Sequence, residues 1–297
     1  MELRTIDIGV PVRYADYGGE GRPIVLLHGL GGVHLNWMRL APELARHGRV
    51  LVPDLPGFGG SPPLPERTSV SSLENAVCRF LDAVAPGAVT LGGNSLGGVL
   101  SLLVAAKQPD RVRRLMLFSP AVPHAYFEPF DAQAFFEMGA AMLPFIGPAG
   151  VQARPARLGP ERLVTEMMRF MAHDLGRIPK EVIDEHVAEA RARMDRPWIG
   201  HAFSDALRSL SWRLLNRLEF AWMVRSIEAP AIVFAGERDR LVRARSIREM
   251  CELNPRFVYR AFPDVGHVPQ LEAPERVMTE VERFFRQHPM DPDVVAA

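Results

Sequence analysis

A five-residue motif in the first third of the chain constrains its fold most strongly. The sequence Gly-Asn-Ser-Leu-Gly at residues 93–97 stands between a short apolar run at 88–91 and an apolar run of helical length at 99–106. The first run predicts a strand and the second a helix, so the motif spans a sharp strand-to-helix turn. Flanking glycines permit a strained middle residue because they lack a Cβ atom. The pattern therefore favours a nucleophilic Ser95 over an ordinary glycine-rich turn.

Strand-like and helix-like segments alternate on both sides of this motif. Apolar or β-rich runs predict strands at 5–8, 12–17, 24–27, 50–52, 88–91, 115–118, 231–235 and 257–262. Helical periodicity predicts helices at 37–47, 71–85, 99–108 and 274–287, the second of them starting with capping-box spacing from Ser71 to Glu74. This alternation predicts an α/β fold with a mostly parallel, doubly wound sheet.

Residues 121–228 interrupt the alternation. They show no clear strand pattern, contain several helical runs and are rich in Met, Phe and Trp. We therefore predict a core domain of residues 1–120 and 229–290, a helical cap (lid) inserted at 121–228, and a frayed tail at 291–297.

Charge and cysteine content exclude several classes of function. The chain has 35 Lys and Arg residues against 35 Asp and Glu residues, which leaves no broad positive field for nucleic acid. Cys78 and Cys251 stand in no Cys/His cluster that would bind a metal. The chain starts without a signal-like segment, and no apolar run is long enough to span a bilayer. We predict a cytoplasmic, soluble protein without stable membrane insertion, and the oligomeric state stays open.

Candidate partners for the serine follow two later strands. A serine hydroxyl is a weak nucleophile at neutral pH and needs a histidine base oriented by a carboxylate. Asp239 follows the predicted strand at 231–235, and His267 follows the predicted strand at 257–262. Open α/β sheets build their sites at the carboxyl ends of their strands. Ser95, Asp239 and His267 are therefore expected to converge.

Two nearby carboxylates are alternatives to Asp239. Glu237 stands in the same segment, and Asp264 stands before His267. Asp264 is only three residues from the histidine, which is too local to brace its ring easily.

A glycine-rich segment after the strand at 24–27 is suited to stabilising an oxyanion. Residues 28–32 read His-Gly-Leu-Gly-Gly, and their glycines let a backbone N–H approach a substrate oxygen. The N–H groups of Leu30 and of Leu96, which follows the serine, are the predicted oxyanion donors. His28 is expected to anchor the loop.

Four motifs together resemble those of α/β-hydrolase-fold enzymes, along nearly the whole chain. They follow the predicted third, fourth, fifth and last strands at residues 28–31, 54–61, 93–97 and 266–267. The resemblance implies the α/β-hydrolase fold with a helical cap, and it implies a structural role for Asp54. It also implies a site made of the nucleophile Ser95, the acid Asp239, the base His267, and an oxyanion hole from Leu30 and Leu96. Such a site requires no metal or organic cofactor.

The predicted cap is rich in flexible and aromatic side chains. They are Phe135, Phe136, Met138, Met142, Leu143, Phe145, Met167, Met168, Phe170 and Met171. Most are expected to form the core of the cap, but its underside would also supply an apolar pocket. A small, hydrophobic, uncharged substrate is therefore favoured over an anionic one bound by the arginines within 238–245.

Three functions fit this pattern. The first is a carboxylesterase or lipase-like serine hydrolase that forms an acyl-enzyme on Ser95. The second is a carbon–carbon bond hydrolase of aromatic-ring degradation. Those enzymes resemble the chain in the Gly-Asn-Ser turn but commonly have Trp after the catalytic histidine, where this chain has Val268. The third is a non-catalytic ligand-binding protein, against which the intact set of residues argues. Serine at position 95 argues against haloalkane dehalogenases and epoxide hydrolases, which use aspartate there.

Overall fold

The computed structural model of the protein describes residues 1–123 and 138–290, and an eight-stranded sheet forms its centre. The strands are β1 (Glu2–Asp7), β2 (Pro11–Asp16), β3 (Ile24–Leu27), β4 (Val50–Pro53), β5 (Val89–Asn94), β6 (Val112–Phe118), β7 (Ala231–Gly236) and β8 (Phe257–Phe262). Their order in the sheet is β1-β2-β4-β3-β5-β6-β7-β8. The pairs β1–β2 and β2–β4 are antiparallel, and the other neighbours are parallel. The predicted mostly parallel sheet is confirmed. The tail predicted at 291–297 lies outside the described residues.

Helices connect these strands. They are α1 (Ala41–Leu44), α2 (Val70–Val84), α3 (Leu96–Lys107), α4 (Ile146–Leu158), α5 (Pro160–Met171), α6 (Lys180–Arg193), α7 (Ile199–Leu215), α8 (Arg217–Ser226), α9 (Ala244–Glu252), α10 (Pro269–Glu272) and α11 (Pro274–Gln287). Short 3₁₀ helices stand at His34–Trp37 and Leu175–Arg177. In residues 1–123 and 138–290, no helix combines the length and the apolar composition needed to cross a membrane.

Helices cover both faces of the sheet, as strand β3 illustrates. Its residues Val25 and Leu27 face an apolar core formed with α2, α3, α8 and α9. Its residues Ile24 and Leu26 face a second core formed with α1 and α11. Successive side chains of a strand point to opposite faces, so a strand covered on both sides must be apolar throughout. This is why the central strands appear in the sequence as unbroken apolar runs.

The strand order reverses between β3 and β5. The chain runs from β3 to β4 on one side and then returns to place β5 on the other side of β3. Leu27 at the end of β3 is in register with Gly93 near the end of β5. In open α/β sheets the ligand crevice lies at this reversal, outside the carboxyl ends of the strands. The loops after β3 and β5 therefore start side by side.

The helix predicted at 37–47 is wrong in its bounds. The chain forms instead the 3₁₀ turn His34–Trp37 and the four-residue helix Ala41–Leu44. Pro42 lies in the first turn of α1, and a proline there cannot continue a helix from the residues before it.

The start of α2 also differs from the prediction. Ser69, rather than Ser71, is the N-cap, and its hydroxyl accepts a hydrogen bond from the N–H of Ser72 at 3.1 Å. The hydroxyl of Ser72 accepts in return from the N–H of Ser69 at 2.8 Å. Glu74, which the prediction places in the capping box, is buried and pairs with Lys107 at 2.6 Å.

The described residues between β6 and β7 contain helices α4 to α8 and no strand. Within them, Val164 and Met168 of α5 pack with Val182 of α6. Val268 and Leu271, which follow β8, complete this small core. Helices α5 and α6 are thus attached to the chain directly after His267. The predicted cap residues Phe135 and Phe136 lie outside the described residues.

Candidate active site

Ser95 lies in the turn between β5 and α3 in a conformation that few residues adopt. Its φ is 53° and its ψ is −115°, on the left-handed side that disfavours a residue with a Cβ atom. Three backbone hydrogen bonds hold it there. The N–H of Ser95 donates to the carbonyl of Phe118 at 3.1 Å, and its carbonyl accepts from Val99 at 3.2 Å and Ala121 at 3.1 Å. The predicted sharp strand-to-helix turn is present.

The glycines around Ser95 lie where no side chain would fit. A Cβ atom on Gly93 would lie 2.2 Å from the carbonyl carbon and oxygen of Gly97. A Cβ atom on Gly97 would lie 2.3 Å from the carbonyl oxygen of Leu27. The turn is therefore packed against itself and against the end of β3.

His267 and Asp239 form a buried pair. Nδ1 of His267 lies 2.7 Å from Oδ2 of Asp239, and the two residues are 3% and 2% exposed. The other carboxylate oxygen of Asp239 accepts hydrogen bonds from the N–H groups of Leu241 at 2.8 Å and Val242 at 2.9 Å. An ionised carboxylate can only accept, so Nδ1 is the ring nitrogen that donates, and in the neutral ring Nε2 has the free lone pair. This is the tautomer that a histidine base requires.

The alternative acids lie elsewhere. Glu237 is exposed at the surface. Asp264 pairs with Arg177 at 2.8 Å and with Arg276 at 2.7 Å, which together hold the pKa of its exposed carboxyl at about 2. Of the three carboxylates considered, Asp239 is therefore the one that meets His267.

The glycine-rich loop after β3 lies against the serine turn. A Cβ atom on Gly29 would be 3.2 Å from Cβ of Ser95. Leu30 is the next residue of this loop. Leu96 is the first residue of α3, where the N–H groups of the first turn have no partner within the helix. Both predicted oxyanion donors thus belong to segments that border Ser95.

His28 anchors this loop. Its Nδ1 lies 2.7 Å from the carbonyl oxygen of Gly29, and its Nε2 accepts from the N–H of Leu55 at 2.9 Å. Complete burial lowers the pKa of His28 to about 4, so the ring is neutral at pH 7. The histidine connects the loop after β3 to the loop after β4.

Asp54 is a buried structural centre. Its carboxylate accepts hydrogen bonds from the N–H and Nδ1 of His34, from the N–H of Gly60 and from Nε of Arg13, at 2.7–3.0 Å. Burial by itself raises the pKa of Asp54, but the hydrogen bond from His34 and the charge of Arg13 outweigh it and hold this pKa well below its usual range. Arg13 also pairs with Glu189 of α6 at 2.5 Å. One arginine thus connects β2 to the helices between β6 and β7.

Two contacts of His267 had no signal in the sequence. Nδ2 of Asn94 donates to the carbonyl of His267 at 3.1 Å and to that of Phe118 at 2.9 Å, so Asn94 connects the main chain of His267 to the serine turn. The N–H of His267 donates to the carbonyl of Met171 at 2.6 Å. Both partners lie far from His267 along the chain, where no spacing pattern could indicate them.

Comparisons with known proteins agree with this architecture. The model of the alpha/beta hydrolase family matches residues 24–280. The chain is 31% identical over 260 residues to a 2-hydroxy-6-oxo-2,4-heptadienoate hydrolase of Pseudomonas putida, covering 86% of this chain and 85% of that protein. It is 25% identical over 291 residues to Lipase 1 of Psychrobacter immobilis, covering 96% and 84%. A crystal structure of a putative lipase from Acinetobacter baumannii matches with a TM-score of 0.77 at 21% identity, covering 96% and 91%. The predicted fold class is confirmed.

Proposed function

Because the chain belongs to the alpha/beta hydrolase family, we propose that it is a serine hydrolase that cleaves a hydrophobic carboxylic ester through an acyl-enzyme on Ser95. One observation carries this proposal. A buried His267–Asp239 pair with a contact of 2.7 Å stands at the same sheet edge as a serine held at a φ of 53°. A structural turn does not need a strained serine, and a structural histidine does not need a buried carboxylate dedicated to its Nδ1.

The proposed reaction has two halves. In the first, Nε2 of His267 takes the hydroxyl proton of Ser95 as Oγ attacks the ester carbonyl, and then gives that proton to the departing alcohol. The ester C–O bond breaks and an acyl group remains on Oγ. In the second half, His267 takes a proton from water, the hydroxide attacks the acyl carbon, and Ser95 leaves with the proton. Asp239 stays ionised and stabilises the imidazolium that forms in each half.

The negative oxygen of each tetrahedral intermediate would lie between Leu30 and Leu96. Leu96 presents its N–H at the start of α3, where the helix dipole adds to the stabilisation of an anion. The contact between Gly29 and Ser95 brings the loop of Leu30 within reach of the same oxygen. His28 supports the loop by accepting from Leu55.

The inserted helices favour an apolar substrate. We assign residues 121–228 to a cap over a core of residues 1–120 and 229–290. Phe203 of α7 touches the oxyanion loop, since a Cβ atom on Gly31 would lie 3.1 Å from its ring. An aromatic ring at this place favours binding of a small hydrophobic ester. The similarity to Lipase 1 of Psychrobacter immobilis also supports an ester substrate. Of the arginines after β7, Arg240 lies over the ring of Phe170 and Arg245 pairs with Glu249.

A second candidate function is hydrolysis of a carbon–carbon bond next to a dienoic ketone. The observation that favours it is the 31% identity to the heptadienoate hydrolase of Pseudomonas putida. Against it stands Val268, which is completely buried in the apolar core with α5 and α6. The same Ser95, Asp239 and His267 would serve either reaction, so substrate preference decides between them.

The test uses a panel of short-chain aryl esters and dienoic ring-cleavage ketones with the parent protein and Ser95→Ala. We expect ester turnover by the parent and a loss of up to about 10⁶-fold in kcat in the variant, with an unchanged circular dichroism spectrum. A fluorophosphonate should label the parent at Ser95, as located by peptide mass spectrometry. Equal ester turnover by both proteins would contradict the nucleophile assignment. Faster turnover of the ketone than of the ester would favour the carbon–carbon bond hydrolase over the ester hydrolase.

A further inference from the structure

Glu272 lies where the loop of His267 contacts the segment 171–174 of the inserted region, and this contact is called the seam below. It ends α10, five residues after His267, and it is only 3% exposed. Its carboxylate accepts three backbone hydrogen bonds. Oε2 accepts from the N–H of Gly266 at 2.8 Å and of His173 at 3.1 Å, and Oε1 accepts from the N–H of Asp174 at 2.8 Å. A carboxylate is buried at acceptable cost only when hydrogen bonds of this kind replace its water shell.

The three donors come from two parts of the chain. Gly266 precedes the base, while His173 and Asp174 follow α5 in the inserted region. These two segments are in close contact, because a Cβ atom on Gly266 would lie 2.4 Å from the carbonyl oxygen of Met171 and 2.6 Å from the nitrogen of His173. Glu272 therefore joins the base loop to the inserted segment at a point where neither has room to shift alone.

The same seam holds the base itself. Two residues before His173, the carbonyl of Met171 accepts the N–H of His267 at 2.6 Å. The main chain of His267 is thus fixed on one side by the inserted segment and on the other by the side chain of Asn94, which donates to its carbonyl at 3.1 Å. Only the Asn94 contact comes from the sheet.

We propose that Glu272 is a positioning residue for His267 and acts through the inserted segment. By holding residues 173–174 against Gly266, it keeps the carbonyl of Met171 on the N–H of the base. This inference rests on the proposed function, in which His267 is the base. The inserted region then completes the support of the base as well as covering the site. Without Glu272, the main chain of His267 keeps the Asn94 contact but loses the fixed position of Met171 on its other side, while Asp239 and Ser95 stay intact.

Two substitutions remove the hydrogen bonds of the Glu272 carboxylate to different extents. Glu272→Ala removes all three acceptor bonds. Glu272→Gln keeps one carbonyl oxygen but turns an NH₂ group towards a backbone N–H, so it retains part of the contact. A displacement of the base on the order of 1 Å can cost about 10²-fold in rate. We expect kcat to fall by about 10–100-fold in the alanine variant and by less in the glutamine variant, with KM changed by less than about threefold.

Asp264→Asn is the matched control. Asp264 is an acidic residue of the same loop and also bridges to the inserted region, through Arg177 at 2.8 Å, but its side chain is 42% exposed. Its substitution removes two partly exposed ion pairs, to Arg177 and to Arg276, without touching the N–H groups of Gly266, His173 or Asp174. Its kcat should stay within about twofold of the parent, because exposed ion pairs contribute little to holding a structure in place.

The measurements are kcat and KM for an aryl ester, the rate of fluorophosphonate labelling, and the proton NMR signal of the His267 Nδ1–H that bonds Asp239. In the full-length Glu272→Ala protein we expect slower labelling and a broadened or missing Nδ1–H signal, with both unchanged in Asp264→Asn. A lower melting temperature with parental kcat and a parental Nδ1–H signal would mean a purely structural role and would overturn the proposal. If Glu272→Ala does not fold, Glu272→Gln decides by the same criteria.

Failure of the proposed function has a different signature. A parent protein that fluorophosphonate does not label at Ser95 would refute the hydrolase mechanism. The Nδ1–H signal would still report whether Glu272 holds His267, because that comparison needs no substrate.

Discussion

Nδ1 of His267 lies 2.7 Å from Oδ2 of Asp239, and both side chains are almost completely buried. Two backbone N–H groups, from Leu241 and Val242, fix the other carboxylate oxygen. The fold alone therefore aligns the pair. Preorganised hydrogen bonds of this kind need no rearrangement at the moment of reaction.

Asp239→Asn should leave the fold intact and reduce kcat by about 10⁴-fold. An amide can donate to Nδ1, which places the proton of the imidazole on Nε2, where it cannot accept from Ser95. Glu237→Gln is the matched control, because Glu237 is an exposed carboxylate two residues earlier. Initial rates with an aryl ester measure both variants. Activity near that of the parent in Asp239→Asn would assign the acid to another residue.

Gly93→Ala should destabilise the protein by about 3 kcal/mol, because the new Cβ atom would overlap the backbone of Gly97 at 2.2 Å. Gly150→Ala is the control, since that position in α4 has nothing within 4 Å of a Cβ atom and has no positive φ. There we expect a gain of about 0.5–1 kcal/mol from the higher helix propensity of alanine. The midpoints of urea unfolding measure both changes. Equal midpoints for the two variants would contradict the tight packing of the turn.

Ser69→Ala should cost about 1 kcal/mol of stability through loss of the N-cap of α2. Ser71→Ala, two residues later on the exposed face of the helix, should change stability by less than about 0.5 kcal/mol. Thermal and urea unfolding compare the two. A larger loss of stability for Ser71→Ala than for Ser69→Ala would indicate that Ser71 is the N-cap, as the sequence predicted.

Stability should fall as the pH drops from 6.5 towards 4. Burial lowers the pKa of His28 and of His186 from 6.5 to about 4, so the folded protein keeps both rings neutral while the unfolded chain binds protons. Between pH 7 and pH 5 this amounts to about 2 kcal/mol per histidine. His186→Leu should reduce the pH-dependent loss in urea unfolding by that amount, whereas a change at the exposed His201 should not. An unchanged loss in His186→Leu would refute this assignment.

Those parts of the fold that depend on local pattern could be predicted from the sequence. The bounds of β3, β8 and α11 agree with the prediction, because apolar or β-rich runs and helical period are properties of neighbouring residues. The serine turn and the two later loops could be placed because each follows a strand end. The choice of Asp239 over Asp264 follows from sequence distance, because Asp264 is only three residues from His267.

What could not be predicted depends on partners far along the chain. Asn94 and Glu272 act on the backbone of residues 267 and 173–174, and no spacing rule connects these positions. The split of the predicted helix at 37–47 has a tertiary cause beside the local effect of Pro42, because residues 34–37 are buried against α10 and the sheet rather than continuing one helix. Tertiary contacts override local propensity at such places.

Arg13 of β2 limits any exchange of the helices between β6 and β7 among proteins of this architecture. The guanidinium group of Arg13 forms ion pairs with both Asp54 in the core and Glu189 in α6. A chimaera that receives a foreign insertion would lose the second acceptor and leave a half-buried cation with part of its donors unmatched. A graft on this scaffold must therefore bring its own carboxylate to the place of Glu189, or replace Arg13 at the same time.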